Sequence, residues 1–304
     1  MAGFVFACLA EDAPAERRAL LLARSIRAFA GRFAESPIWI MVPCATPLPK
    51  DVQNGLKATG AEVVPFDASP AVAAFLFGAK VLAAGAAEPR TAGGETLVWM
   101  DSGTLVLREP NELALPPGKA FAARPVDLAL IGSRLSDPVT PFWDLIYRAC
   151  AVPADCLFPM KSSVDEIAIR PYFNAGFLVV APGRGVLGQW ATTFQRLYQN
   201  PRLVELYRAD GRYAVFAHQA VLAGVVLSAL DREEIGELPP LANYPLHLHD
   251  RYPLAHQPRS LAEVTVCRYE GFFENPAWEG AIQVAEPLQG WLRRELGLII
   301  GTQS

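Results

Sequence analysis

The 304-residue sequence contains no basic tract. Its 27 Lys and Arg residues face 31 Asp and Glu, a net charge of −4 with neutral His. A protein that holds nucleic acid by neutralising phosphates carries a basic face, so nucleic acid is not an expected partner. Long apolar runs are missing too. The stretches Pro70–Ala87 and Phe216–Leu230 are interrupted, the first by Lys80 and the second by His218 and Gln219. Neither supplies about 18 unbroken apolar residues, so no transmembrane segment is expected. No basic segment precedes the short apolar run Phe4–Ala10, which argues against a secretory signal. Cysteine is scarce. Cys8, Cys44, Cys150, Cys156 and Cys267 are odd in number and widely spaced, and the gap between Cys150 and Cys156 fits no usual zinc spacing. Reduced thiols and a cytoplasmic location are the expectation. No complete phosphate-binding glycine fingerprint and no nucleophile elbow occurs.

What is present is an apolar chain, 52% hydrophobic, long enough to bury a sizeable core. Short apolar runs alternate with helical patterns. Strands are predicted at Phe4–Leu9, Ile38–Val42, Ala61–Phe66 and Leu97–Met100. Helices are predicted at Glu16–Phe33, Asp51–Thr59 and Pro70–Ala86. Such alternation predicts a mostly parallel α/β sheet covered on both faces, with ligands beyond the carboxyl ends of its strands. The second half is less regular. Strands are expected at Lys119–Ala123, Leu128–Ile131, Phe173–Val180 and Glu263–Tyr269. Helices are expected at Thr140–Ala149, Val186–Asn200, His218–Leu230 and Leu288–Leu296. The sequence shows no internal repeat or long linker. One unit over residues 1–304 with a C-terminal elaboration is therefore expected. Trp39, Trp99, Trp143 and Trp190 lie in apolar runs and read as core.

The sharpest local feature is Thr96–Met100 followed by Asp101-Ser102-Gly103-Thr104-Leu105-Val106. Asp has low strand propensity. Directly after a buried strand, it suits a carboxylate aimed into a ligand crevice. This stretch resembles the Asp-x-Asp motif of GT-A glycosyltransferases, particularly the glycogenin and galactosyltransferase-like group. Further segments follow in that family's order. Lys80 stands in the preceding helix. Phe173-Asn174-Ala175-Gly176 resembles the family's Phe-Asn-Ala-Gly strand, and Trp190 follows on a helix. His218-Gln219 resembles its Asp-Gln helix start. Arg268-Tyr269-Glu270-Gly271, with Pro276 and Trp278, resembles its closing segment.

The resemblance implies a GT-A, nucleotide-diphospho-sugar transferase fold. Residues 1–110 would form the nucleotide half, and 111–304 the sugar and acceptor half. It implies a hexosyltransferase-like enzyme that moves a sugar from a nucleotide diphosphate, expected to be UDP, to an acceptor. On this reading Cys8, Leu9, Lys80, Asp101, Ser102, Gly103 and Arg268 face the donor. Asp101, Asn174, His218 and Gln219 carry the chemistry, and Asn174, His247 and His249 lie toward sugar or acceptor.

The resemblance also implies a Mn²⁺ or Mg²⁺ site, but two of its ligands are replaced. Gly103 stands where the second Asp would be, and Arg268 where a metal-binding His would be. Asp101 alone remains, and one carboxylate is a poor cage for a hard divalent cation. Lys80 and Arg268 instead offer two positive charges to a departing diphosphate. At about 4 Å and an effective dielectric near 20, one such charge pair contributes roughly 4 kcal/mol. His247 and His249, two apart after Pro245, would share a face on a strand and offer nitrogen ligands beside Asp101. His218 and Gln219 would open an apolar helix and present its free N–H groups. The replaced ligands leave an alternative, a noncatalytic nucleotide-sugar binding or scaffold protein on the same fold.

Overall fold

A computed structural model of the chain describes residues 3–91 and 94–300. The expectation of one unit over 1–304 includes residues 1, 2, 92, 93 and 301–304, which lie outside the described residues. The first half runs β1 (Phe4–Leu9), α1 (Ala13–Phe29), β2 (Ile38–Pro43), α2 (Lys50–Ala58), β3 (Glu62–Phe66), α3 (Pro70–Ala73), α4 (Gly78–Ala87), β4 (Thr96–Met100), β5 (Thr104–Val106) and β6 (Phe121–Pro125). Every residue of β1 and β4 is buried, which is why these strands read as unbroken apolar runs. Asp12 starts α1 by accepting the Ala15 N–H at 2.7 Å. The helix stops at Phe29, and Gly31–Phe33 forms a separate 3-10 turn.

The helix expected over Pro70–Ala86 is two helices. Phe77 between them takes φ 59°, the left-handed region. A Cβ on Gly78 would stand 1.8 Å from the Val72 carbonyl oxygen, so the chain folds back here only with glycine. Apolar periodicity runs straight through such a break and does not register it.

The second half runs α5 (Pro141–Ala149), β7 (Met160–Lys161), β8 (Ala168–Ile169), β9 (Phe173–Val180), α6 (Val186–Leu197), α7 (Pro201–Ala209), α8 (Gly211–Ala229), β10 (Ile235–Glu237), β11 (Tyr244–Pro245), β12 (Val266–Arg268) and α9 (Leu288–Ile300). Three expectations are corrected. Leu128–Ile131 is a turn segment, not a strand. The Ala129 N–H donates to Asp165 Oδ2 at 2.9 Å and the Gly132 N–H to the Ala129 carbonyl at 2.6 Å, a side-chain bond and a turn bond in place of a ladder. His247 and His249 lie in a 3-10 segment, Leu246–Arg251, so the alternation of a strand does not apply to them. His218 and Gln219 do not open a helix. α8 begins at Gly211, capped by Asp210, and both residues sit in its interior, where backbone N–H groups are already used.

The main sheet has the order β10-β6-β9-β4-β1-β2-β3. β1 pairs in parallel with β2 and β4, β2 with β3, and β10 with β6, while β9 runs antiparallel between β4 and β6. This is the mostly parallel α/β architecture expected. One apolar cluster packs α4, α6 and α8 on one face, around Trp99, Trp143 and Trp190. A second packs α1 and α2 on the other face. A third surrounds the small sheet β11-β12-β5 and α9, with Leu105, Tyr244 and Trp291 in it. One helix among the described residues, α8, is long and apolar enough to cross a membrane, and 56% of it is buried inside the fold.

Candidate active site

The antiparallel insertion of β9 decides the geometry beyond β4. Met100 pairs with Phe177, and the next residue, Asp101, donates its N–H to the Gly176 carbonyl at 2.7 Å. A Cβ on Gly176 would lie 2.6 Å from Asp101 Oδ2, so glycine is what lets the carboxylate cross the neighbouring strand. Lys80 Nζ, from α4, meets both carboxylate oxygens, Oδ1 at 2.7 Å and Oδ2 at 2.8 Å. Its ammonium also stands 4.6 Å from the centroid of the Phe77 ring, a cation–π contact at the helix break. Phe77 thus keeps its left-handed backbone beside the crevice, where strain of about 1–3 kcal/mol is held by the surrounding packing.

These groups line a cavity of about 510 Å³ at the carboxyl ends of β1 and β4. Leu9, Ser102 and Gly103 form part of its wall. Across from Asp101 stands a second ion cluster. Arg268, at the end of β12, is buried. Its Nη2 pairs with Asp127 Oδ2, and its Nη1 pairs with Glu270 Oε1 at 2.8 Å. Burial works against the guanidinium charge, but Asp127 and Glu270 outweigh it and raise its pKa. Asn174 projects from β9 between the two clusters. Its Oδ1 accepts the Gly176 N–H at 2.9 Å and its Nδ2 reaches Asp127 Oδ2 at 3.4 Å. His247 Nε2 lies 3.3 Å from Glu270 Oε2.

Residues 6–228 match the sequence model of the Rhodobacterales glycosyltransferase domain. The chain belongs to that family. Comparison with curated protein sequences finds no match. Among solved structures, the chain resembles the galactosyltransferase LgtC, determined in complex with donor and acceptor sugar analogues. The identity is 15% and the TM-score 0.52, over 96% of this chain and 99% of that one. The Streptococcus pneumoniae TIGR4 glycosyltransferase GlyE matches at 12% identity and a TM-score of 0.46, over 88% of this chain and 55% of that one. At such identities the likeness to LgtC is one of fold, and that fold is the GT-A architecture anticipated from the motifs.

Within this glycosyltransferase domain, most of the anticipated residues converge. Leu9, Lys80, Asp101, Ser102, Gly103, Asn174, His218, Gln219, His247 and Arg268 all face the one cavity. Cys8 does not. It points into the core, where burial first and Asp101 second push its thiol up to about 12. Strand alternation puts Leu9 on the face opposite to Cys8. His249 is also elsewhere, buried with its Nδ1 2.9 Å from the Tyr244 hydroxyl. Asp127 was missed. It lies two residues beyond β6, where Asp101 lies one beyond β4, and a carboxylate shortly after a buried strand marks it less sharply. The apolar run read there as a strand hid it. Arg18 of α1 and Glu270 also face the cavity without having been anticipated as site residues.

Gln219 and His218 enter from the middle of α8. Gln219 Oε1 accepts the Ala175 N–H at 3.0 Å, and its Nε2 donates to the Tyr172 hydroxyl at 3.1 Å. The His218 ring lies 4.4 Å from the Phe77 ring, and its Nδ1 is 3.0 Å from the Val215 carbonyl. Burial, then Lys80, push the His218 pKa well below its ordinary value of 6.5. The folded protein therefore keeps this imidazole neutral where the unfolded chain takes up a proton. Stability is full above about pH 6.5, falls as pH drops below it, and stops falling once the folded pKa is passed. His247 and His249, lowered chiefly by burial, act in the same direction. Urea unfolding of His218→Gln should show a shallower fall in stability below about pH 6.5 than the parent. An unchanged slope would place the pH dependence in other groups.

The donor set does not fit a divalent cation. Among the described residues there is no group of three or more His, Cys, Asp or Glu side chains placed to hold a metal ion. Asp101 is occupied on both oxygens by Lys80. Asp127 is paired with Arg268. Gly103 offers no side chain at all.

Proposed function

We propose that the cavity binds a nucleoside diphosphate sugar, with UDP as the nucleotide, and transfers the sugar to an acceptor hydroxyl with retention of anomeric configuration. The anomeric C–O bond to the diphosphate breaks, and the diphosphate leaves with the electron pair. A C–O bond to the acceptor forms on the same face, and the acceptor proton passes to the departing diphosphate. The observation that carries this reading is the Lys80–Asp101 pair set against Gly176. It opens onto a cavity shared with Asn174 and Gln219, in a chain of a glycosyltransferase family.

Residues 1–110 supply the nucleotide side through Leu9, Lys80, Asp101, Ser102 and Gly103. Residues 111–304 supply Asn174, His218, Gln219 and His247 for the sugar and acceptor, and Arg268 on the donor side. Asp101 meets the ribose and sugar hydroxyls. Lys80 retains one ammonium hydrogen beyond its two bonds to Asp101 and directs it at developing negative charge. Asn174 and Gln219 are each anchored by a backbone N–H of β9, and Asp127 and the Tyr172 hydroxyl take one amide hydrogen apiece, so the second hydrogen of each NH2 is preorganised for a sugar hydroxyl. The reading keeps the chain in the cytoplasm, where its thiols stay reduced.

A thermal-shift screen of UDP, GDP, ADP and their sugars tests this reading. A ligand at 100 times its dissociation constant adds about 2.7 kcal/mol, which moves the midpoint by several degrees in a chain of this size. The expected result is stabilisation by a UDP-sugar and slow release of free sugar from it. Stabilisation with neither transfer nor hydrolysis would make the chain a nucleotide-sugar binding protein. No shift with any nucleotide would overturn the reading.

A further inference from the structure

Among the described residues three cations face the cavity: Lys80, Arg268 and Arg18. Lys80 is matched by Asp101, and Arg268 by Asp127 and Glu270. Arg18, in the second turn of α1, is different. Its guanidinium makes no ion pair among the described residues. Its Nε, like that of Arg268, is buried without a hydrogen-bond partner, but Arg268 has carboxylates on its other two nitrogens and Arg18 has none. Glu11 and Glu274 face the same cavity, but neither is hydrogen-bonded to it. A buried charged donor without an acceptor is costly, so such a group marks a place where an acceptor belongs.

The position of Arg18 is informative as well. Its Cδ lies 4.0 Å from where a Cβ on Gly103 would stand, with nothing else within that distance. The residue that lacks the second metal-binding carboxylate is therefore the residue beside which an unpaired guanidinium lies. We propose that Arg18 takes the place of the divalent cation, binding the donor diphosphate directly through its guanidinium fork. The proposal rests on the donor-site reading above and deepens it. The fork meets two phosphate oxygens at once and keeps its charge at every working pH. A carboxylate at position 103 would cancel that charge. The glycine and the arginine thus belong to one solution, while the Lys80–Asp101 and Arg268–Asp127 pairs fix the walls on either side.

Titration calorimetry on the full chain tests this, with UDP and GDP as probes and uridine and guanosine as phosphate-free controls, each in EDTA and in Mn²⁺. The parent should bind a diphosphate in EDTA, and Mn²⁺ should change the affinity little. Arg18→Gln should weaken that diphosphate by roughly 10- to 100-fold, the size expected for losing a charged hydrogen-bonding contact. Its nucleoside should bind as before. Arg18→Lys should fall between, since it keeps the charge and loses the fork. Gly103→Asp, which leaves Arg18 in the sequence and whose Cβ would meet only Arg18 Cδ, at 4.0 Å, should weaken diphosphate binding in EDTA by about tenfold or more through pairing with Arg18. It serves equally if Arg18→Gln does not fold. Diphosphate binding by the parent only with Mn²⁺, or Arg18 variants that bind as the parent does, would overturn the proposal while the donor-site reading stands. Failure of the parent to bind any diphosphate would overturn both.

Discussion

Asp101→Asn should lower sugar transfer by about 100-fold or more while the chain still folds. The substitution keeps the shape of the side chain and one oxygen to accept a bond from Lys80. It removes the charge that holds the ammonium in place at 2.7 and 2.8 Å. Lys80 is buried and sits over the Phe77 ring. Left without an anionic partner, it swings toward any negative charge available, and its aim at the leaving group is lost. Removing one preorganised electrostatic contact from an active site typically costs on the order of 10²–10³ in turnover. The loss should appear mainly in kcat, because Asn keeps a polar group for the ribose and sugar hydroxyls while the aim of Lys80 is lost. Asp101 is about one-third exposed on its side chain, so screening keeps the stability effect small. Steady-state kinetics with the donor found in the screen, together with a melting curve, checks both statements. A variant within threefold of the parent in kcat/KM would remove Asp101 from the chemistry.

Gly176→Ala is expected to damage stability and activity together. The added methyl would stand 2.6 Å from Asp101 Oδ2, 3.2 Å from its Cγ and 3.1 Å from Asn174 Oδ1. All three atoms belong to side chains of the site. β9 is hydrogen-bonded on both sides, to β4 and to β6, so it cannot recede to make room. Overpacking of this kind costs about 1–3 kcal/mol, a fall of several degrees in the melting midpoint for a chain this long. The activity loss follows from displacement of Asp101. The double variant Gly176→Ala, Asp101→Asn should therefore be no slower in transfer than Asp101→Asn alone, because both changes act on one group. Additive losses in transfer would mean that the methyl acts elsewhere.

Both predictions concern residues that stood out in the sequence, but for reasons of unequal depth. Asp101 was legible because a carboxylate directly after a buried apolar strand contradicts strand propensity and so needs a reason. Asn174 and Gly176 were legible through the Phe173-Asn174-Ala175-Gly176 segment that carries the resemblance. Asp127 carries a weaker form of the Asp101 mark after β6, yet its apolar neighbours Leu128–Ile131 suggested a strand. One of the bonds that make this segment a turn is to the carboxylate of Asp165, 36 residues further on. The break at Phe77 was hidden likewise, because it depends on Gly78 passing within contact of the Val72 carbonyl.

The sequence by itself determined six of the seven strands of the central sheet, all but the edge strand β10, its mostly parallel character and the family. These depend on apolar runs, on turn residues and on motif order, all of which are local along the chain. The tertiary structure alone decided how the charges are shared. The Lys80–Asp101 pair spans 21 positions and the Arg268–Asp127 pair 141. No periodicity predicts which cation will find a carboxylate and which will not. That outcome depends on where β9 inserts between β4 and β6 and on how far α1 reaches over Gly103. Charge pairing is set by distance and burial in three dimensions, so Arg18 reads in the sequence as one more helical arginine. In the fold it is the cation at the cavity that has no partner among the described residues.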